Sequence, residues 1–472
     1  MRRDRVVRLL TGLTALCTLS VAVPGWAAQP KARNTVVLSV SCPSAGNCAA
    51  GGYYTDGSHR NQAFVASERN GHWGDAVRLP GSARLNAGGN AQVLSLSCPS
   101  AGNCAAGGYY TDGATHNQMF VASERNGHWG NAIEVPGSAG LNPHAKAWVY
   151  SVSCPSAGNC AAGGYYTDSS YDIEAFVVNE RNGRWGTLIE VPGSAALNAG
   201  ANGVVHSVSC PSAGNCAAGG EYADSSARFQ AFVATERNGR WGKALKVPGT
   251  AALNAGGVAS VNWVSCPSAG NCTAGGYYTD HAFRNQAFVA SERNGRWRNA
   301  IKVPGTASLD AGGNAQVFSV SCPSRGTCAA VGYYTDRSQG IQAFVASERN
   351  GRWRTAFEVP GLAALNAGGD AQVLSVACPT AGTCAAVGYY TDGSHRVQAF
   401  VSSERNGRWR TAFEVPGLAA LNTGGNAEAF SVSCPTAGNC AAVGYYTDRS
   451  SRSQALVVTE RNGRWGNAIK VP

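Results

Sequence analysis

Charge is scarce in this sequence of 472 residues, with only 14% of them Asp, Glu, Lys or Arg. Apolar residues at helical spacing are missing over any long stretch, which argues against a predominantly helical protein. Beyond the N-terminus no apolar run is long enough to span a membrane. Unpaired cysteines are also missing once Cys17 is set aside, because the other sixteen fall into eight pairs six positions apart. The residues between paired cysteines include no histidine or carboxylate, so each pair offers two ligands where structural zinc needs four. What the chain has in quantity is glycine, sixty residues of it, which suits short strands and tight turns.

The stretch Cys42-Pro43-Ser44-Ala45-Gly46-Asn47-Cys48 returns as near copies beginning at Cys98, Cys154, Cys210, Cys266, Cys322, Cys378 and Cys434, always 56 residues apart. A strict period outweighs length as a guide and points to one array rather than two or three unrelated domains. In an oxidising compartment the pairs predict eight local disulfides: Cys42–Cys48, Cys98–Cys104, Cys154–Cys160, Cys210–Cys216, Cys266–Cys272, Cys322–Cys328, Cys378–Cys384 and Cys434–Cys440.

Residues 1–27 read as a secretory signal peptide. Arg2, Arg3, Arg5 and Arg8 form its basic part, Leu9 to Val23 its apolar part, and cleavage is expected after Ala27. A membrane anchor, a lipid attached at Cys17 and twin-arginine export are the alternatives, and the short apolar run, the bulky Leu16 and Arg5 respectively weigh against them. Residues 28–34 are then a mature N-terminal segment and 35–472 the repeat array, with secretion expected. Removing residues 1–27, with four arginines and Asp4, lowers the net charge from +10 to +7. That excess does not require a nucleic-acid partner.

Within residues 36–91, Val36 to Ser41, Cys48 to Tyr54, Gln62 to Glu68 and Trp73 to Leu79 read as four strands. Asn70-Gly71 marks a hairpin and Pro80-Gly81 a stop. Three antiparallel steps and a connector of about a dozen residues predict an all-β, eight-bladed β-propeller with one blade per repeat. Ala49, Ala50, Gly51 and Gly52 suit a strand squeezed between blades. Eight complete units predict closure without an exchanged strand, the first and last blades meeting through packing alone. Two smaller rings or an open solenoid are the alternative arrangements.

The run from Ser319 to Gly332, and again from Ser431 to Gly444, has the form Ser-Val-Ser-Cys-Pro-x-x-x-x-Cys-x-Ala-Val-Gly and is followed by Asn-Gly-x-Trp. It resembles a repeat abundant in exported actinobacterial proteins assumed to be β-propellers, over the chain from about residue 35 onward. The resemblance implies an architecture and no defined activity.

The turns between second and third strands are expected on one rim, opposite the disulfides, together with the connectors. Loops on a rigid scaffold are where recognition concentrates, so His59, Arg60, His116, Tyr171, Arg228, Arg284, His395 and Arg396 are candidate binding residues, with free drift of solvated turns as the alternative. Near the start of the first strands, Trp148, Tyr150, His206, Asn262 with Trp263, and Glu428 replace the Gln and Leu of other units. Rings and polar groups around a channel mouth suit capture of a sugar or peptide, and packing variation is the competing explanation. Arg184, Arg240, Arg296, Arg352, Arg408 and Arg464 lie at the hairpins of the other rim. They could hold an anionic polymer, or be solvated and offset by the neighbouring glutamates of the Glu68 class.

Other repeated features read as structural. Asp56 and its counterparts are expected to cap their own turns rather than bind calcium. The Glu68 to Trp73 segment is similar in reduced form to the tryptophan motif of quinoprotein dehydrogenases, but its spacing is shorter and the adjacent-cysteine pair is absent. No cofactor or metal is expected. An aspartate box and a nucleophile–histidine pairing are also lacking, and among Asp172, His144, His206, Glu221 and Glu428, which break the repeat with suitable chemistry, no constellation is readable. The leading expectation is a secreted, monomeric, non-enzymatic protein that binds a glycan or cell-surface polymer through the variable rim. The alternatives are a glycan-active enzyme using His206 and Glu428, and a scaffold for another exported protein.

Overall fold

The computed structural model describes residues 34–142 and 146–471. The expected leader with Cys17, and His144, lie outside the described residues. In the first unit, β1 (Thr35–Ser44), β2 (Asn47–Thr55) and β3 (Asn61–Arg69) pair in chain order, and the outer edge consists of β4 (His72–Trp73) and β5 (Val77–Arg78), both on β3. The other seven units repeat this sheet. The result is an all-β propeller of eight four-stranded antiparallel blades, each with its own disulfide between the cysteines six positions apart. Among the described residues no helix is long and apolar enough to cross a membrane.

The fourth strand differs from the expected single run of Trp73 to Leu79. It breaks because the third residue of the break turns to the preceding blade: Ala132 donates its N–H to the Pro80 carbonyl at 2.7 Å, and Ala244, Ala300, Ala356, Ala412 and Ala468 do likewise to the proline before them. The connectors also differ from expectation. Six of them hold one α-helical turn, as in α1 (Ser82–Leu85), too short to show a period in sequence. Asn86 closes that turn and donates Nδ2 to the Asn61 carbonyl at 2.9 Å, which ties the connector to the start of β3.

The cores lie between blades rather than within them. Ala49, Val65 and Leu79 of the first blade pack with Val93, Leu96 and Phe120 of the second, and the pattern recurs around the ring. The last interface is built the same way, from Val443, Val457 and Val471 against Val37, Val40 and Phe64. No strand is exchanged at this seam among the described residues. Packing is not alone there, however, because Arg461 pairs with Glu68 at 3.3 Å and Cys42 donates its N–H to Ser433 Oγ at 2.9 Å.

That last bond belongs to a repeated device. The inner strand is a sheet edge, with N–H groups that have no strand to pair with. Ser39 and Ser41 of the first blade accept from the N–H of Leu96 and Cys98 in the second, at 3.1 and 3.0 Å. Equivalent serines serve the following interfaces. The device lapses where Trp263 replaces the first serine and Ala377 the second. Close packing of the inner pair of strands also requires glycine at position 52, where a Cβ would come within 2.0 Å of the Val36 carbonyl oxygen.

Two substitutions test the serine bonds. Ala377→Ser should stabilise by about 1 kcal/mol by giving the Cys434 N–H an acceptor, and Ser321→Ala should cost about 1–3 kcal/mol by orphaning the Cys378 N–H. Denaturant midpoints of both variants measure this, and equal midpoints would deny the hydroxyls their role.

Candidate functional site

Hydrogen bonds assign the two rims. Gly71 donates its N–H to the Gly46 carbonyl at 2.7 Å, which puts the disulfide loop and the Asn-Gly hairpin together on a lower rim. Asn61 donates to Gly89 at 2.9 Å and Gly88 to Thr111 at 2.8 Å, which puts the β2–β3 turns and the connectors together on an upper rim. The inner strands run from the upper rim to the lower, so their first residues surround the upper mouth of the central channel. The channel itself is lined by serines and valines from all eight blades.

At the mouth, three of the candidate residues converge. Trp148 and Tyr150 follow one another on the same face of the third blade's inner strand, with ring centroids 5.7 Å apart. Trp148 lies 5.4 Å from Tyr165, its partner across the ladder, and 5.3 Å from Tyr109 of the second blade. Tyr150 lies 5.7 Å from Tyr165 and 5.9 Å from His206 of the fourth blade. His206 Nε2 is 3.8 Å from Glu221 Oε1. Trp148, Tyr150 and His206 are half-buried, so the cluster combines an aromatic face with a polar edge open to solvent. Burial pushes the Tyr165 phenol up to about 12.

Glu428 is not part of this arc. It stands on the eighth blade, four blades from His206, and accepts from the Tyr445 hydroxyl at 2.9 Å. Burial raises its carboxyl above the usual range, the Tyr445 bond opposes this, and Asp370 adds to the rise. Asp370 in turn accepts from the Tyr389 hydroxyl at 3.3 Å. The mouth therefore has an aromatic arc on blades two to four and an acidic arc on blades seven and eight. Asn262 is used by the fold, donating Nδ2 to the Val317 carbonyl at 2.9 Å. Trp263 occupies a serine position, not the Gln or Leu position expected for it, and projects 42% exposed into the channel.

The turn residues are spread around the rim. His59, Tyr171 and His395 hold the left-handed backbone position of their turns, with φ of 60°, 68° and 57°. Asp56 caps its turn as expected: Oδ1 accepts from the N–H of Ser58 and Arg60, and Oδ2 from Gln62 Nε2. These bonds hold its carboxyl below the usual range against the opposing effect of desolvation. His116 lies 3.9 Å from Asp112 of its own turn. The stems of Arg60, Arg228, Arg284 and Arg396 cross Gly89, Gly257, Gly313 and Gly425, where a Cβ would crowd them. Where Asp172 replaces the arginine, Ala201 replaces the glycine, and where Gly340 does, Gly369 faces open space. Part of the variation among the turns is thus paired packing.

The third turn departs from the expectation of one carboxylate per turn. Glu174 stands where the other seven units have glutamine, and Asp168, Asp172 and Glu174 bring carboxylate oxygens within 4.8 Å of one another. Spacing hid this, because the three are four and two positions apart across a turn and into the next strand. Their oxygens form the one set among the described residues that could surround a cation. Burial is the largest cause that raises Glu174 to about 7; Asn198, bonded at 3.1 Å, opposes it, and Glu190, Asp168 and Asp172 add to it.

On the lower rim the glutamates do not offset the hairpin arginines. Glu68 and its counterparts are buried, and all but Glu124 pair with the arginine next to the glutamate of the preceding blade, as in Arg349–Glu404 at 3.2 Å and Arg405–Glu460 at 3.0 Å. Arg184, Arg240, Arg296, Arg352, Arg408 and Arg464 are exposed beyond them.

No family model matches the chain, and no curated protein matches it. Solved structures of similar fold include the β-propeller domain of the trilobed protease from Pyrococcus furiosus, at 8% identity and TM-score 0.43 over 79% of this chain and 95% of that one. An ulvan lyase matches at 9% identity and TM-score 0.40, covering 93% of this chain and 96% of its own. The Aleuria aurantia lectin matches at 11% identity and TM-score 0.34, over 68% and 94%. At these values the likenesses carry no inference about activity.

The Glu174 carboxyl predicts a pH dependence. Its folded value lies above its unfolded one, so its contribution to stability is full below about pH 4.5 and is lost as pH rises through about 7. Glu174→Gln restores the residue of the other blades and an amide donor for Asp168. Thermal melts should show the variant more stable than the parent at pH 8 and the difference shrinking toward pH 5. A constant difference across that range would contradict the assignment.

Proposed function

We propose that this is an exported, non-catalytic carbohydrate-binding propeller that takes a sugar of a glycan or cell-surface polymer at the upper mouth. The observation that carries the reading is the convergence of Trp148, Tyr150 and His206 against Tyr109 and Tyr165. An indole beside phenols offers a flat apolar surface to the C–H face of a pyranose, and imidazole and carboxylate at its edge can bond the ring hydroxyls. Eight disulfides suit an oxidising exterior, in keeping with the leader expected at residues 1–27. The actinobacterial repeat resemblance is consistent with export and is silent on the ligand. The catalytic alternative loses its pair, because His206 and Glu428 are held by different partners on blades four apart.

The repeat itself supplies the test. Trp148→Gln and Tyr150→Leu install the residues of the second blade, Gln92 and Leu94, and should leave folding intact. A glycan array followed by calorimetric titration of the best saccharide should show wild-type binding and at least a tenfold loss in the double variant. Undiminished binding in that variant, or no saccharide bound by the parent, would sink this reading.

A further inference from the structure

The mouth leaves the lower rim unexplained, and there the blades are not equivalent. In the first two, the residues flanking the fourth-strand tryptophan are His72 and Gly74, and His128 and Gly130. In the fifth, sixth and seventh they are Arg296 and Arg298, Arg352 and Arg354, and Arg408 and Arg410. All six arginines are exposed. The tryptophan between each pair turns inward: Trp297 donates to Thr235 Oγ1 of the preceding blade at 3.2 Å, Trp353 packs on the core between blades, and Trp409 is 8% exposed. Strand alternation thus sends both guanidiniums of a pair outward.

Among the described residues no carboxylate forms an ion pair with these six arginines. Glu292, Glu348 and Glu404 are buried and pair with Arg237, Arg293 and Arg349. Glu358 and Glu414 accept from the Tyr334 and Tyr390 hydroxyls, further along the outer edge. Arg325, on the sixth disulfide loop where other units have alanine, is exposed on the same rim. The Gly351–Gly326 backbone bond of 2.9 Å holds that loop beside the hairpin carrying Arg352.

We propose that this arc on blades five to seven binds a linear, base-free polyanion, a polymer with an oxyanion in each repeat. Like pairs of guanidiniums on three consecutive blades match a ligand whose charge also recurs, and each planar fork can take an oxyanion by two bonds. The tryptophans between the arginines turn inward, and the exposed rings of this edge, Phe357 and Phe413, stand on the sixth and seventh blades while the fifth has Ile301, so no stacking platform accompanies all three pairs and a nucleic acid would be held mainly by its phosphates. The site is separate from the sugar site at the upper mouth and does not depend on it.

The decisive variant is Arg298→Gly, Arg354→Gly, Arg410→Gly, which restores the glycine of the other five blades. Binding of a glycerol phosphate polymer, of polygalacturonate and of a single-stranded oligonucleotide would be measured by anisotropy at several salt concentrations. The parent should bind one or both base-free polymers more tightly than the oligonucleotide, the first two arms separating phosphate from carboxylate as the anion. The triple variant should lose at least tenfold at low salt, with a log K against log salt slope smaller by about two. Equal binding by parent and variant would overturn the proposal, as would preference for the oligonucleotide. So would an equal loss on changing Arg184, Arg240 and Arg464 to histidine, which leaves the arc intact.

Discussion

Everything in this ring depends on what becomes of the N–H groups along the inner edge of each blade. A four-stranded sheet ends in a strand with one side unpaired, and in a propeller that side meets the channel, where the inner strands of neighbouring blades form no ladder with one another. Serine resolves this by placing a hydroxyl oxygen where the next strand's N–H points. The Ser-Val-Ser reading of the inner strands is therefore two requirements interleaved, valine for the core between blades and serine for the joint. Where Trp263 removes one acceptor, the adjacent Asn262 sends an amide across the same interface to Val317. The joint is thus kept by another route, while an indole gains access to the channel.

Strict periodicity makes the architecture readable from the sequence. The disulfides, the Asn-Gly hairpins and the opposition of the rims all follow from one 56-residue unit. What the period concealed were contacts between units. Glu68 and Arg69 are neighbours in sequence, yet the ion pair joins Arg461 to Glu68 and Arg405 to Glu460. The broken fourth strand was likewise invisible, because its cause is a carbonyl on another blade.

The mouth was partly legible for the same reason. Trp148, Tyr150 and His206 stand out because they depart from the repeat. Tyr109 and Tyr165 do not, since a tyrosine occupies that position in most units, and a search for exceptions passes over them. Glu221 is the exception at that position, and only the fold shows that it serves His206. Asp172 and Glu174 each look like isolated drift, and they become a cluster only when the turn brings them to Asp168. Against a symmetric background, function is expected where departures gather, and here they gather on opposite sides of different blades.

The serine bonds also have a direction. Each blade offers hydroxyls to the blade that follows it and receives them from the blade before, so the interface is heterologous and head-to-tail. Any run of blades shorter than the ring has one end with unused acceptors and another with unused donors. Those ends are complementary to each other. Two half-rings of four blades would present the same pair of matching faces twice, and their geometry leads to one another rather than to an endless stack. The ring is in this sense a closed oligomer written on one chain, whose subunits happen to be covalently joined.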